Sequence, residues 1–157
     1  MKINFFILKK KHLIIAFLIS LAFLLLNIVS SIILSKLINV SLGHQNHFRS
    51  KKVEFIIAIV IAPLFETLFF QALVIYQVFE SYSGRYKKEI AIIVSSLLFG
   101  SIHYYSLYYF LFATIAGLFL AYIFCYFREK TNYLMAFIYL TLIHMLSNLY
   151  IFLLKTF

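Results

Sequence analysis

The feature that most constrains this chain is a succession of apolar runs, several of them long enough to cross a bilayer. A transmembrane helix needs about 20 mostly apolar residues. Hydrophobic residues make up 64% of the 157-residue chain and charged residues 12%, whereas a soluble domain is roughly half apolar and a quarter charged. We therefore predict an all-α polytopic membrane protein with one membrane domain over residues 1–157. The predicted bundle has about five transmembrane helices, at 13–35, 53–79, 89–104, 106–127 and 133–154.

The basic residues lie between the apolar runs and predict an orientation rather than a nucleic-acid surface. The formal net charge is +9. Nine Lys and Arg residues fall on the side of the N-terminus and the 80–88 and 128–132 loops, and five fall on the other side. Cytoplasmic loops carry the excess of positive charge. We therefore predict a cytoplasmic N-terminus and no nucleic-acid partner.

Three further patterns are assigned to solvent or to packing rather than to chemistry. His44 and His47 stand three residues apart in the polar 36–52 loop. This spacing also suits a metal ion, but we interpret it as a solvated loop. Two helix faces are predicted to pack against other helices: the small residues Ala113, Gly117 and Ala121, and the polar stripe of Asn27, Ser31 and Ser35.

A short set of polar side chains remains inside the predicted membrane segments. An ionisable group there is expensive and is a functional candidate by default. The set is Glu66, Thr67, Gln71, His103, His144 and Asn148. At 1.5 Å per residue, the glutamate, both histidines and the asparagine lie at a common depth of about 17–22 Å from the predicted cytoplasmic ends. Three helices therefore deliver these groups to one level, and we expect one site.

Local spacing supports a single site. His144 and Asn148 are four residues apart and share a helix face. Phe99 lies one turn before His103 and is placed to exclude water from the site. Pro63 removes a backbone donor just before Glu66 and predicts a local loosening of that helix. We expect the heads of the glutamate and the two histidines to lie within about 8 Å of one another, a distance that one water or one metal can span.

A carboxylate, two imidazoles and an amide suit more than one chemistry. Hydrolysis in lipid needs a base for water and donors for the developing oxyanion. The side chains of Glu66, His103 and His144 also suit a divalent cation such as zinc, which the sequence permits but does not require. A small cation- or proton-handling transporter would place Glu and His at the same depth. No H-E-x-x-H or G-x-S-x-G motif is present, so a standard zincin is excluded.

The order of three motifs resembles one known family. "PLFETLFFQ", "FGSIH" and "HMLSN" are similar to the motifs of the CPBP family of intramembrane proteases. That family includes the Ras-converting CAAX endoprotease and bacterial members linked to bacteriocin processing and self-immunity. The resemblance covers about residues 55–154 and leaves the first helix outside. It implies that Glu66 is the catalytic glutamate and that the protein lies in a bacterial cytoplasmic membrane.

The chain departs from the family's first motif, E-E-x-x-x-R, at two positions. Thr67 stands at the second glutamate and Gln71 at the arginine. Residues four apart on a helix contact each other, so both charges of a Glu–Arg pair are replaced together. We expect Thr67 to hydrogen-bond Gln71 and this substituted pair to support the site.

We therefore expect an intramembrane endopeptidase whose partners are membrane lipid and a peptide or membrane-protein substrate. Glu66 and His103 would activate a water, and His144 with Asn148 would stabilise the oxyanion. We also expect the site to open towards the cytoplasm, where such a substrate would arrive. The main alternative is a non-catalytic immunity or interaction protein that retains the fold. Oligomeric state is left open.

Overall fold

The computed structural model describes residues 10–38 and 50–156, and those residues form helices joined by short turns. The predicted all-α class is confirmed, because the described ranges contain five helices and no strand. His44 and His47 lie outside the described residues. The helices are α1 (Lys10–Ile38), α2 (Lys51–Ser81), α3 (Lys87–Ser101), α4 (Leu107–Lys130) and α5 (Tyr133–Thr156).

Four of these helices are long and apolar enough to span a bilayer, and the chain is an integral membrane protein. The spans are Lys10–Ile38, Lys51–Ser81, Leu107–Lys130 and Tyr133–Leu154. Helix α3 has 15 residues and is about 22 Å long, less than the roughly 30 Å hydrocarbon core. It packs chiefly against α4, and protein contacts bury Ala91, Ser95, Ser96, Phe99 and Gly100.

Helix α3 agrees with the predicted helix over 89–104 to within three residues at each end. Helix α3 stops at Ser101, and residues 102–106 form a turn before α4. The Ser106 side chain accepts from the Tyr109 backbone N–H and caps the start of α4, which satisfies a donor that has no intrahelical partner. His103 therefore lies in a turn, not in the last turn of a helix.

Helix α2 is interrupted by two π-helical segments, Ile57–Ile61 and Thr67–Leu73, on either side of Pro63. The Ala62 N–H donates to the Ile57 carbonyl five residues back. Proline cannot continue an i→i−4 ladder because it lacks an N–H. Wider π turns are a known response inside α-helices. The loosening predicted from Pro63 therefore takes the form of a changed hydrogen-bond register.

The small-residue face of α4 packs closely against α3, as predicted. Ala113, Gly117 and Ala121 are on α4, and the two alanines are buried. A Cβ on Gly117 would lie 3.1 Å from Cα of Ser96 and 3.3 Å from Cβ of Phe99. This tight approach fixes the end of α3 that leads to His103.

The two ends of the bundle differ in their contacts. The basic end holds the Lys88–Glu129 ion pair (2.7 Å), and Arg128 lies over the ring of Phe79 at 3.9 Å. The opposite end, which we call the turn end because it holds the 102–106 turn, is joined by the Phe55–Phe152 ring contact at 5.4 Å. Helices α1, α3 and α5 run from the basic end to the turn end, and α2 and α4 run back.

Candidate active site

One cavity of about 340 Å³ collects four of the six polar groups that the sequence singled out, and Thr67 and Gln71 are not among its lining residues. It lies among α1, α2, α4, α5 and the end of α3. Its lining includes Glu66, Phe99, His103, His144 and Asn148. The other lining residues are Phe23, Asn27, Glu54, Ala58, Ala62, Tyr105, Tyr109, Phe112, Ala113, Ala116, Leu120, Ile151 and Phe152.

Glu66 lies between the two histidines. Its Oε1 is 3.9 Å from Nε2 of His103, and its Oε2 is 3.6 Å from Nε2 of His144. Both separations exceed a direct hydrogen bond, which has a heavy-atom distance of about 2.7–3.2 Å. The Glu66 side chain is 19% exposed and that of His144 is 6% exposed. The carboxylate is therefore embedded in the bundle but still reached from the cavity.

The position of the proton on His103 follows from its backbone contact. Its Nδ1 lies 2.8 Å from the Phe99 carbonyl oxygen. A carbonyl oxygen can only accept, so Nδ1 carries a hydrogen. In the neutral ring, Nε2 is then an acceptor facing the Glu66 carboxylate. The Phe99 ring, 4.7 Å from the imidazole between centroids, covers one side of it.

His144 is held between aromatic rings and has a different hydrogen-bond environment. Its ring lies edge-on to Phe23 at 6.4 Å and to Phe99 at 6.2 Å. Its Nδ1 is buried without a hydrogen-bond partner among the described residues. An unpaired N–H is costlier than an unpaired acceptor lone pair. A neutral His144 therefore favours the tautomer with its hydrogen on Nε2, directed at the cavity.

Asn148 makes a contact that the sequence did not predict. Its Nδ2 donates to the Ala58 carbonyl at 2.8 Å. In the π register of α2, the next N–H after Ala62 would reach that carbonyl, but the next residue is Pro63. The amide thus satisfies a carbonyl that proline leaves unpaired, which joins α5 to α2. One amide hydrogen remains for the cavity.

The predicted hydrogen bond between Thr67 and Gln71 is absent. Both residues are fully buried, and the Thr67 hydroxyl and both polar atoms of the Gln71 amide have no hydrogen-bond partner among the described residues. Both lie in the π segment Thr67–Leu73. The expected i, i+4 contact assumed α-helical geometry, which does not apply to that segment.

The candidate metal ligands do not converge on one point. Within residues 10–38 and 50–156, no three His, Cys, Asp or Glu side chains lie close enough together to hold a metal ion. Glu66 approaches each histidine singly, but the trio of Glu66, His103 and His144 does not form a metal-binding group in this arrangement. No chemical step is therefore assigned to a metal.

The cavity extends towards the turn end. The expected cytoplasmic N-terminus therefore conflicts with the expected opening of the site towards the cytoplasm. Glu54, Tyr105 and Phe152 line the cavity at the turn end, whereas the predicted cytoplasmic loops are at the basic end. A cytoplasmic N-terminus and a cavity that opens to the cytoplasm therefore cannot both hold. Helical rise predicts the depth of the polar side chains from one membrane face, but it does not predict the face from which a substrate enters.

Helix α1 supplies Asn27 to the cavity, a residue that the sequence pattern assigned to a packing stripe. Phe23 and Asn27 line the site together with Glu66 and His144. The available signal was the amide itself, a polar group in the middle of an apolar run. Ser31 of the same stripe does belong to packing, since its Oγ and the Tyr108 hydroxyl form a 2.8 Å hydrogen bond. The Ser35 hydroxyl donates to the Ile32 carbonyl of its own helix.

Comparison with known proteins gives one match. The family of Rce1-like type II CAAX prenyl endopeptidases matches residues 49–150, which include α2 to α4 and most of α5. The chain belongs to this family. The predicted resemblance is thereby confirmed, and α1 lies outside the matched segment. Membership in a family of CAAX prenyl endopeptidases favours an intramembrane protease. No curated protein and no solved structure matches the chain.

Proposed function

We propose that the protein is an intramembrane endopeptidase in which Glu66 activates a water for attack on a peptide bond. The observation that carries the proposal is the position of Glu66, 3.9 Å from Nε2 of His103 and 3.6 Å from Nε2 of His144 in one cavity. Family membership supports a peptide or protein substrate. The proposed setting is a bacterial cytoplasmic membrane.

The attacking water binds between Glu66 and His103. Both facing atoms are acceptors, and a water about 2.8 Å from each of them spans a separation of 3.9 Å. It donates one hydrogen to the carboxylate and one to the imidazole, and its oxygen lone pair faces the substrate carbonyl. Positioned proton acceptors of this kind contribute roughly 10²–10⁴-fold to a rate.

The remaining steps use the same groups. As the water oxygen bonds to the carbonyl carbon, Glu66 takes its proton. The Nε2 hydrogen of His144 and the free amide hydrogen of Asn148 stabilise the developing oxyanion, and removal of one such donor typically costs 10²–10³-fold in rate. The carbon–nitrogen bond then breaks, and Glu66 returns the proton to the leaving amine.

The decisive test is Glu66→Gln in the purified full chain. The probe is a fluorogenic peptide with a prenylated cysteine in a C-terminal CAAX sequence, assayed beside the same peptide without the prenyl group. The change keeps the shape of the side chain but removes the base, so cleavage should fall by at least about 100-fold. The matched control is Glu80→Gln, at an exposed carboxylate near the basic end, which should cleave normally. Cleavage by Glu66→Gln within tenfold of the natural protein would refute this mechanism.

A non-catalytic immunity or interaction protein is the second candidate. The observation that favours it is the unpartnered state of Thr67 and Gln71, at the positions of the Glu–Arg pair in the family's first motif. This candidate predicts that the natural protein cleaves neither peptide and yet protects cells that express it against a bacteriocin. It further predicts that Glu66→Gln protects them equally well.

A further inference from the structure

Helix α1 carries an asparagine that faces the cavity from outside the family-matched segment. Phe23 and Asn27 are one turn apart on the same face of α1, and both line the cavity. The Phe23 ring stacks on Phe119 at 5.1 Å and lies edge-on to His144 at 6.4 Å. Asn27 therefore lies about one turn beyond the level of His144, towards the turn end.

The Asn27 residue is buried, and its side-chain amide is free of hydrogen bonds to the other described residues. The residue is 7% exposed. Its backbone carbonyl accepts from Ser30 Oγ at 3.3 Å, but its side-chain amide makes no hydrogen bond to another residue that the structure describes. An amide that served only to join helices would have such a partner, as Asn148 has in Ala58. Because Asn27 lines the cavity, its amide is available to a molecule bound there.

We propose that Asn27 is a substrate-binding residue whose amide pairs with a peptide group of the substrate on the mouth side of the scissile bond. This inference rests on the proposed peptidase function. A carboxamide offers one acceptor and a donor side by side, which matches a peptide group. A peptide group that enters an apolar site without a hydrogen bond pays a desolvation cost, and a hydrogen bond to Asn27 would remove part of that cost.

Four alanines contribute short side chains to the cavity wall. Ala58 and Ala62 on α2 and Ala113 and Ala116 on α4 line it, and these short side chains let a backbone come close. Asn27 and Asn148 are the two carboxamides that line the cavity. Asn148 donates to the Ala58 carbonyl, whereas the Asn27 amide has no hydrogen-bond partner among the described residues. Substrate and α1 thus meet directly, which gives α1 a function in addition to packing.

The first experiment compares steady-state kinetics of three variants on the fluorogenic prenylated CAAX peptide. Asn27→Leu removes the amide at similar volume and should raise KM about five- to tenfold, in line with one lost hydrogen bond, with kcat within about twofold. Asn27→Gln keeps the amide and should recover most of the lost affinity. Ser30→Ala is the control, because Ser30 lies on α1 and its hydroxyl bonds to its own helix. Its kinetics should be unchanged.

The second experiment identifies the peptide group involved. Amide bonds of the probe peptide are replaced one at a time by ester bonds, which removes an N–H. One replacement should raise KM for the natural protein and have no effect on Asn27→Leu, because the pairing is already lost. If Asn27→Leu does not fold, Asn27→Ala serves in the same comparison.

The outcomes separate this inference from the proposed function. Cleavage by Glu66→Gln would end the peptidase mechanism and with it the role of Asn27. An inactive Glu66→Gln beside an Asn27→Leu that matches the natural protein would overturn this inference alone. A loss in kcat with constant KM, or identical ester effects in both proteins, would also overturn it.

Discussion

At the residue scale, the chemistry of the site depends on which ring nitrogen of each histidine carries a hydrogen. The Phe99 carbonyl places the His103 hydrogen on Nδ1, which leaves Nε2 as a second base beside Glu66. The unpartnered Nδ1 of His144 favours a hydrogen on its Nε2. One histidine thus accepts and the other donates, and hydrolysis of a peptide bond needs both functions.

Thr67 offers a test of a buried polar group without a partner. Its hydroxyl is fully buried and has no hydrogen-bond partner within residues 10–38 and 50–156, and an unsatisfied buried group costs about 1–3 kcal/mol. Thr67→Val has nearly the same shape, so it should keep or raise the thermal midpoint of the detergent-solubilised protein. The control is Ser95→Ala, because the Ser95 hydroxyl donates to the Phe70 carbonyl at 2.7 Å. That change should lower the midpoint. An equal loss in both variants would show that Thr67 has a partner.

At the element scale, the distinctive feature is the register change in α2. Pro63 removes the N–H that would reach the Ala58 carbonyl, and Asn148 on α5 supplies a donor in its place. Glu66 stands between the two π segments, so the direction of its side chain depends on this register. A contact between two helices therefore positions the proposed catalytic base.

This account predicts coupling between Pro63 and Asn148. Asn148→Leu in the natural background leaves the Ala58 carbonyl unpaired and should cost about 1–3 kcal/mol in the free energy of unfolding. Pro63→Ala restores a backbone N–H, so the same Asn148→Leu change should cost less in that background. A double-mutant cycle in detergent measures the difference, which is expected at about 1 kcal/mol. Additive effects would contradict the proposed link.

The sequence predicted the helices better than their internal register. Apolar runs are properties of local sequence, and α1, α2, α4 and α5 begin and end within a few residues of expectation. The common depth of Glu66, His103 and His144 likewise follows from helical rise alone. The π segments, the bond from Asn148 to Ala58 and the entry of Asn27 into the cavity could not be predicted, because each depends on a second helix.

At the scale of the whole molecule, the two ends of the bundle differ in character. The basic end is closed by contacts such as the Lys88–Glu129 ion pair. The cavity extends to the turn end, where Glu54, Tyr105 and Phe152 line it, and Tyr104 and Tyr105 are each 70% exposed there. Tyrosine concentrates at membrane–water interfaces. The site is thus set deep in the bundle, with its access from the interface at the turn end.

The side of the membrane from which substrate arrives is the last prediction. Nine of the 14 Lys and Arg residues belong to the side of the basic end, so this end should be cytoplasmic and the cavity should open to the opposite face. Single cysteines at Ser83 and Tyr104 are introduced into a Cys125→Ser background, where the natural thiol is buried. In intact cells an impermeant maleimide should label Tyr104→Cys and should label Ser83→Cys only after permeabilisation.

Each alternative labelling pattern has a distinct meaning. The reverse pattern would place the mouth of the cavity in the cytoplasm and would show that the excess of basic residues does not set the orientation. Labelling of both thiols from one side would contradict the arrangement in which α3 carries the chain from the basic end to the turn end. Helix α3 is only 15 residues long. The labelling of Ser83→Cys and Tyr104→Cys therefore tests whether so short a helix connects the two ends of the bundle. The expected pattern would instead mean that peptides reach Glu66 from the non-cytoplasmic face, which narrows the substrates to exported or outward-facing chains.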